Sequence, residues 1–204
     1  MSLKNVKSSL SRISKSLNNM QNLREYLIKN TREVIILCSQ AIISIHRSEI
    51  KTGRKKAEHA KKLLDEIRKK SKSELHRYII TSEQELVEAF AFLSVVEKLD
   101  IPSAEALGVS GESYILGLLD CIGELKRLVY DSIRVGKAND AKKFFEIMEN
   151  LYLFLYPFAV YDKIINETRR KLDVNRILIE DVRAAVTEEI RRTALINAIN
   201  KRKK

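Results

Sequence analysis

Four carboxylates carry the first suggestion of chemistry in this chain. Glu85 and Glu88 stand three residues apart and Asp120 and Glu124 four apart, so each pair would share one face of a helix. They belong to a stretch, Ser82 to Glu124, that holds nine carboxylates against one base, Lys98, in a protein of net charge +11. Hard divalent cations such as Mg2+ and Mn2+ take oxygen ligands, a few from carboxylates and the rest from water. An ion held in that way can activate water and stabilise charge on a transferring phosphate. An acidic cluster inside a basic protein therefore suggests a metal set in a surface whose Lys and Arg hold the phosphates of a nucleic acid.

The plainer reading of any one of these acids is a solvated helix face. Leu86, Val87, Ala89 and Phe90 around the first pair speak against it, as do Leu118, Leu119, Cys121 and Ile122 around Asp120. An acid set among apolar neighbours needs a partner or a metal. A ferritin-like di-iron bundle would need Glu-x-x-His pairs, and none of His46, His59 and His76 stands in one.

The elements that must position these acids read as helices throughout. Leu3, Val6, Leu10, Ile13, Leu17 and Met20 begin an alternating three-and-four repeat that runs on through Leu27, Val34, Cys38, Ala41 and Ile45. It predicts one long amphipathic helix from about Ser2 to Arg47, with a stripe that needs a partner helix from this chain or another. A very basic second helix follows near Gly53. A third is expected to open at a capping box of Ser71 and Glu74 and to run unbroken through Leu75, Ile79 and Phe90 to before Pro102. A short turn or helix reaches Gly108, and a helix spans about Glu112 to Val135. Gly117 and Gly123 inside that helix lower its stability and would permit close packing. An aromatic-rich helix runs to about Tyr156, where Pro157 breaks it, and a last one covers about Phe158 to Arg192, ending in a basic tail from about 193. With two Pro, six Gly and no strand pattern, the chain is expected to be all-α, one domain over 1–204.

Charge narrows the function classes. Lys51 to Lys72 carries ten bases and three acids, and Ile190 to Lys204 six bases and no acid. A pI near 9.6 points to anionic partners, nucleic acid before a membrane surface. No apolar run is long enough to span a membrane and the N-terminus does not read as a signal peptide. Cys38 and Cys121, far apart and outside any CxxC, read as buried, reduced thiols of a cytoplasmic protein.

Several motifs together resemble a known family. Leu75-His76-Arg77-Tyr78, Gln84-Glu85-Leu86-Val87-Glu88-Ala89, Tyr114-Ile115-Leu116-Gly117 and Asp120-Cys121-Ile122-Gly123-Glu124-Leu125 are similar to the translin family, and to its Trax branch in particular. Thr31-Arg32-Glu33 and Ile45-His46-Arg47 match as well, and Lys171-Leu172-Asp173-Val174 more weakly. The resemblance implies a bundle of about seven helices with a long N-terminal helix. It implies assembly into octameric shells enclosing single-stranded RNA or DNA, as a homo-oligomer or with a translin-like partner subunit. Trax-type members are Mg2+-dependent endoribonucleases, and their catalytic, metal-holding carboxylates correspond to Glu85, Glu88, Asp120 and Glu124. His76 and Arg77 resemble a basic patch used on RNA. The chain lacks the long insertion before the Asp120 helix that larger members carry, which suggests a minimal version.

Two other readings stay open at the level of sequence: a translin-like binder of single strands without activity, and a helical scaffold whose basic faces meet protein or membrane. Phe144, Phe145, Tyr152, Phe154, Tyr156, Phe158 and Tyr161 could stack bases, although their helical spacing favours core or subunit interface.

Overall fold

The structure, a computed structural model, describes residues 3–71 and 73–202, with side chains throughout except those of Ser73 and Glu74. The expected capping box rests on Glu74 and so lies outside the described side chains. Among the described residues the chain forms seven α-helices and two 3-10 helices and no strand. They are α1 (Lys4–His46), α2 (Ile50–Lys70), α3 (Ile80–Glu97), α4 (Ala104–Leu107), α5 (Gly111–Arg134), α6 (Ala138–Leu155) and α7 (Thr168–Arg202), with 3-10 turns at Ser73–Tyr78 and Tyr156–Tyr161. The architecture is an all-α bundle. No helix among the described residues is long and apolar enough to cross a membrane.

Helix α3 explains the arrangement. Leu86, Val87, Ala89, Ala91, Phe92, Leu93 and Val95 are all buried, which leaves no polar face broad enough for water, and a helix apolar nearly all round belongs at the centre. It packs against α1, α2 and α5, while α5 also meets α6 and α7. Gly117 sets the α3–α5 distance: a methyl built there would lie 2.5 Å from the Gln84 carbonyl oxygen and 2.7 Å from Val87 Cβ. The close packing expected of Gly117 is therefore present. Ser110 caps α5, its Oγ accepting from Ser113 N at 3.1 Å.

Two expected boundaries move. The third helix is not continuous, because the chain winds as a 3-10 turn over Ser73–Tyr78 before α3 begins. Anchors on either side account for the break. The Tyr78 hydroxyl accepts from Arg24 Nε at 3.0 Å and Arg77 Nη2 at 3.1 Å, and Glu83 is held from α2 by Arg68 at 3.0 Å. Helix α7 starts at Thr168, ten residues after the expected place, and continues to Arg202. Pro157 opens a 3-10 turn, the Tyr161 carbonyl then accepts from both Ile164 and Ile165 at 2.8 Å, and Glu167 is left-handed at φ 71°. Past Arg192, Ala194, Leu195, Ile196 and Ala198 are good helix formers with no breaker between them, so the expected tail is helical.

The long stripe of α1 is partnered along its C-terminal part, where Leu27, Val34, Cys38, Ala41 and Ile45 are buried. Leu3, Val6, Leu10, Ile13 and Leu17 are instead 50–66 % exposed, and nothing among the described residues covers them. The aromatic series divides in the same way. Phe145 is buried and Phe144, Tyr152 and Phe158 pack on the core, while Phe154, Tyr156 and Tyr161 face solvent.

Candidate functional site

The four carboxylates come from the two central helices. Glu85 and Glu88 project from α3, Asp120 and Glu124 from α5, and the tight α3–α5 packing at Gly117 brings the pairs within electrostatic reach of one another. Each acid is partly buried rather than fully solvated. Glu88 feels this most. Burial and then the charges of Glu85, Asp120 and Glu124 push its pKa up to about 8, with Lys171 opposing. Glu85 is raised by burial first and then by Asp120 and Glu124. The two α3 acids are thus held in a partly dehydrated, mainly negative surrounding.

The α5 acids have protein partners. Asp120 accepts from Gln84 Nε2 of α3 and pairs with Lys171 Nζ in the first turn of α7. Glu124 accepts from His46 Nε2 at the end of α1. The imidazole is 3 % exposed and lies against Phe92, ring centroids 4.6 Å apart, and its Nδ1 is buried with no hydrogen-bond partner among the described residues. Gln84, His46 and Lys171 were not singled out by chemistry in the sequence, although each falls inside a stretch that carries the family likeness. A signal for Lys171 does exist. The first turn of α7 holds Arg169, Arg170 and Lys171 and no acid, against a helix dipole that favours acids there by about 0.3–1 kcal/mol each.

The donor set suits a hard divalent cation in its oxygen ligands and partial burial. Among the described residues, however, no three His, Cys, Asp or Glu side chains converge closely enough to enclose an ion as they stand. The bonds of Asp120 to Gln84 and Lys171 and of Glu124 to His46 draw those acids to their own partners.

His76 and Arg77 sit outside this cluster, on the 3-10 turn rather than on the helix of Glu85. His76 Nε2 is 3.9 Å from Glu83 Oε2, in a cavity of about 300 Å3 shared with Arg68 and Ser110. Arg77 is exposed, with its guanidinium 5.0 Å from the centre of the Tyr78 ring. Glu83 itself is a structural acid. Its carboxylate takes Arg68 Nε at 3.0 Å, Ser110 N at 3.1 Å and Ser113 Oγ at 2.8 Å. The thiols Cys38 and Cys121 are free and buried. Burial and the nearby Glu85 and Glu88 raise the first, burial and Glu88 the second, so neither is a ready nucleophile.

Comparison with known proteins agrees with this architecture. A chain of the AfC3PO–duplex RNA complex superposes with a TM-score of 0.83 and 26% identity over 93% of this chain and 99% of that one. The crystal structure of AfC3PO gives 0.83 and 27% identity over 89% and 96%. An apo-NeC3PO chain, 24% identical with a TM-score of 0.77 over 88% and 96%, shares the fold. An uncharacterised protein of Methanocaldococcus jannaschii is 34% identical over 173 residues, 80% of this chain and 75% of that protein. Residues 22–188 match the translin family model, a span that holds every candidate site residue, and the chain belongs to the translin family.

Proposed function

We propose that this protein is a Trax-like, metal-dependent endoribonuclease that cuts single-stranded RNA. The observation that carries the reading is the placing of Glu85 and Glu88 on α3 beside Asp120 and Glu124 on α5, where burial first and the neighbouring acids second raise both glutamates. A fold seldom buries four acids together unless a cation completes them. AfC3PO, similar along nearly its whole length, was solved with duplex RNA, which supports RNA as the class of ligand.

Glu85, Glu88, Asp120 and Glu124 would hold Mg2+ or Mn2+, which supplies Lewis-acid activation of water and stabilises charge on the phosphodiester. The chain's own groups do the rest. Gln84 and Lys171 orient the two Asp120 oxygens, and the His46 Nε2–H orients Glu124. Glu88, with a pKa near 8, holds a proton at neutral pH and must release it to act as a ligand or as a base toward water. Water adds to phosphorus and the P–O3′ bond breaks, leaving a 5′-phosphate and a 3′-hydroxyl. His76, Arg77 and the bases of α2 supply phosphate contacts, and binding should weaken steeply with salt. The uncovered apolar stripe of α1 supports assembly into a homo-oligomeric shell, or one shared with a translin-like subunit, and the reduced thiols support a cytoplasmic setting.

The absence of a closed ligand set among the described residues favours one second reading, a translin-like shell that binds single-stranded RNA or DNA without cutting it. Labelled single-stranded RNA incubated with Mg2+ or with EDTA, beside Glu88→Ala, separates the two. Cutting that needs Mg2+ and disappears in the variant is expected. Retained but intact RNA in every lane would mean the passive binder.

A further inference from the structure

Beside the carboxylates lies a cavity of about 220 Å3 between α5 and α7. Leu119, Asp120 and Gly123 form one wall, Arg170, Lys171 and Asn175 the other. Asn175 ties the walls together from a buried position, its Nδ2 donating to the Leu119 carbonyl at 2.9 Å. The opening is therefore part of the fold, acidic on the α5 side and basic on the α7 side.

Gly123 has no packing role in this chain. Gly117, six residues earlier on α5, is held to glycine by the backbone of α3, but a methyl built on Gly123 meets no described atom within 4 Å. Helix stability is given up where a side chain would fit, on the cavity wall between Asp120 and Glu124. Glycine at such a place suits the close approach of a ligand. The first turn of α7 departs from a second local preference, with Arg169, Arg170 and Lys171 gathered at the positive end of the helix dipole. Lys171 is held there by Asp120, whereas Arg170 is exposed and pairs with Glu167 at 2.7 Å. Gly123, whose departure no packing contact among the described residues offsets, has the character of a functional position.

Building on the ribonuclease reading above, we propose that this cavity seats the RNA backbone against the carboxylates. Gly123 leaves room for a sugar and phosphate to lie along α5. Lys171, which orients Asp120, lines the same cavity and would face the reacting phosphate, and Arg170 would hold the adjacent phosphate.

The test uses the full chain and a non-cleavable 2′-O-methyl single-stranded RNA in EDTA, with cleavable RNA of the same sequence in Mg2+. Gly123→Leu is expected to keep or raise the melting temperature while weakening binding of the 2′-O-methyl RNA at least tenfold, with Gly123→Ala between it and the native protein. Arg170→Ala should lower the log–log salt slope of binding by about one. Lys171→Ala should slow single-turnover cutting at saturating RNA at least tenfold. A native protein that never cuts, with binding lost in Gly123→Leu, would keep the cavity and remove the nuclease. A native protein that cuts, with Gly123→Leu and Gly123→Ala folded and binding within twofold of it, would overturn the cavity and keep the nuclease.

Discussion

Glu83 and Glu88 lie five residues apart on α3, both withdrawn from water, and the protein treats them in opposite ways. Glu83 is 1 % exposed and fully answered: Arg68 from α2, the Ser110 amide and the Ser113 hydroxyl from the start of α5 all reach it. Glu88 faces Glu85, Asp120 and Glu124 and is pushed to about pH 8. The first arrangement ties three helices together. The second sets Glu88 among like charges, as the cation site proposed above would require. A buried acid is therefore informative only through what surrounds it.

The sharpest way to break the contrast is to remove Glu83. Glu83→Ala removes one of the two carboxylates on Arg68, leaving Asp65, and takes two bonds from the start of α5, so a loss of about 1.5–3 kcal/mol is expected in urea unfolding. A loss below about 1 kcal/mol would show that Glu83 is not a structural acid. Glu88→Gln should do the reverse, abolishing RNA cutting while leaving stability equal or higher. A well-folded Glu88→Gln that cuts at the native rate would remove Glu88 from the reaction.

Gly117 and Gly123 offer a second comparison, within α5. Gly117→Ala forces α3 and α5 apart and should destabilise by about 1–3 kcal/mol. Gly123→Ala meets nothing and should stabilise by about 0.5–1 kcal/mol. Thermal melts of the two variants should move in opposite directions, and a shared direction would refute the packing described for Gly117.

The smallest effect is on the pH profile. Glu88 keeps its proton to about pH 8, while an unfolded glutamate loses it near 4.5. Between those values the folded state binds more protons than the unfolded, so stability falls as pH rises. Urea midpoints without divalent ions should decline from about pH 5 to 8 in the native protein and flatten in Glu88→Gln. Equal slopes would contradict the environment assigned to Glu88.

Periodicity made much of this legible. The apolar repeats place α1 and α5 within a residue or two of their observed ends, and the i, i+3 and i, i+4 spacing identifies the acid pairs. Where tertiary contacts decide, sequence falls short. The break before α3 depends on Arg24 reaching Tyr78 from 54 residues away, and the late start of α7 on a left-handed Glu167. The partners of the acids are equally distant, His46 standing 78 residues from Glu124 and Lys171 51 from Asp120. Had α7 been started at Thr168, the run Arg169-Arg170-Lys171 would have stood out against the helix dipole. Nor could the sequence identify Glu83 as the more buried acid, since it stands between Ser82 and Gln84 while Glu88 stands between Val87 and Ala89, and only the fold decides which one meets Arg68.

The central claim, that the acids around Glu88 await a cation, is tested most directly by titrating Mn2+ into the native protein and Glu88→Gln at pH 7 by calorimetry, in buffers of different ionisation enthalpy. Binding by the native protein should release a proton, because Glu88 must ionise to take part, and the variant should bind much more weakly and release none. Equal heats from the two proteins, or no binding by either, would contradict the account.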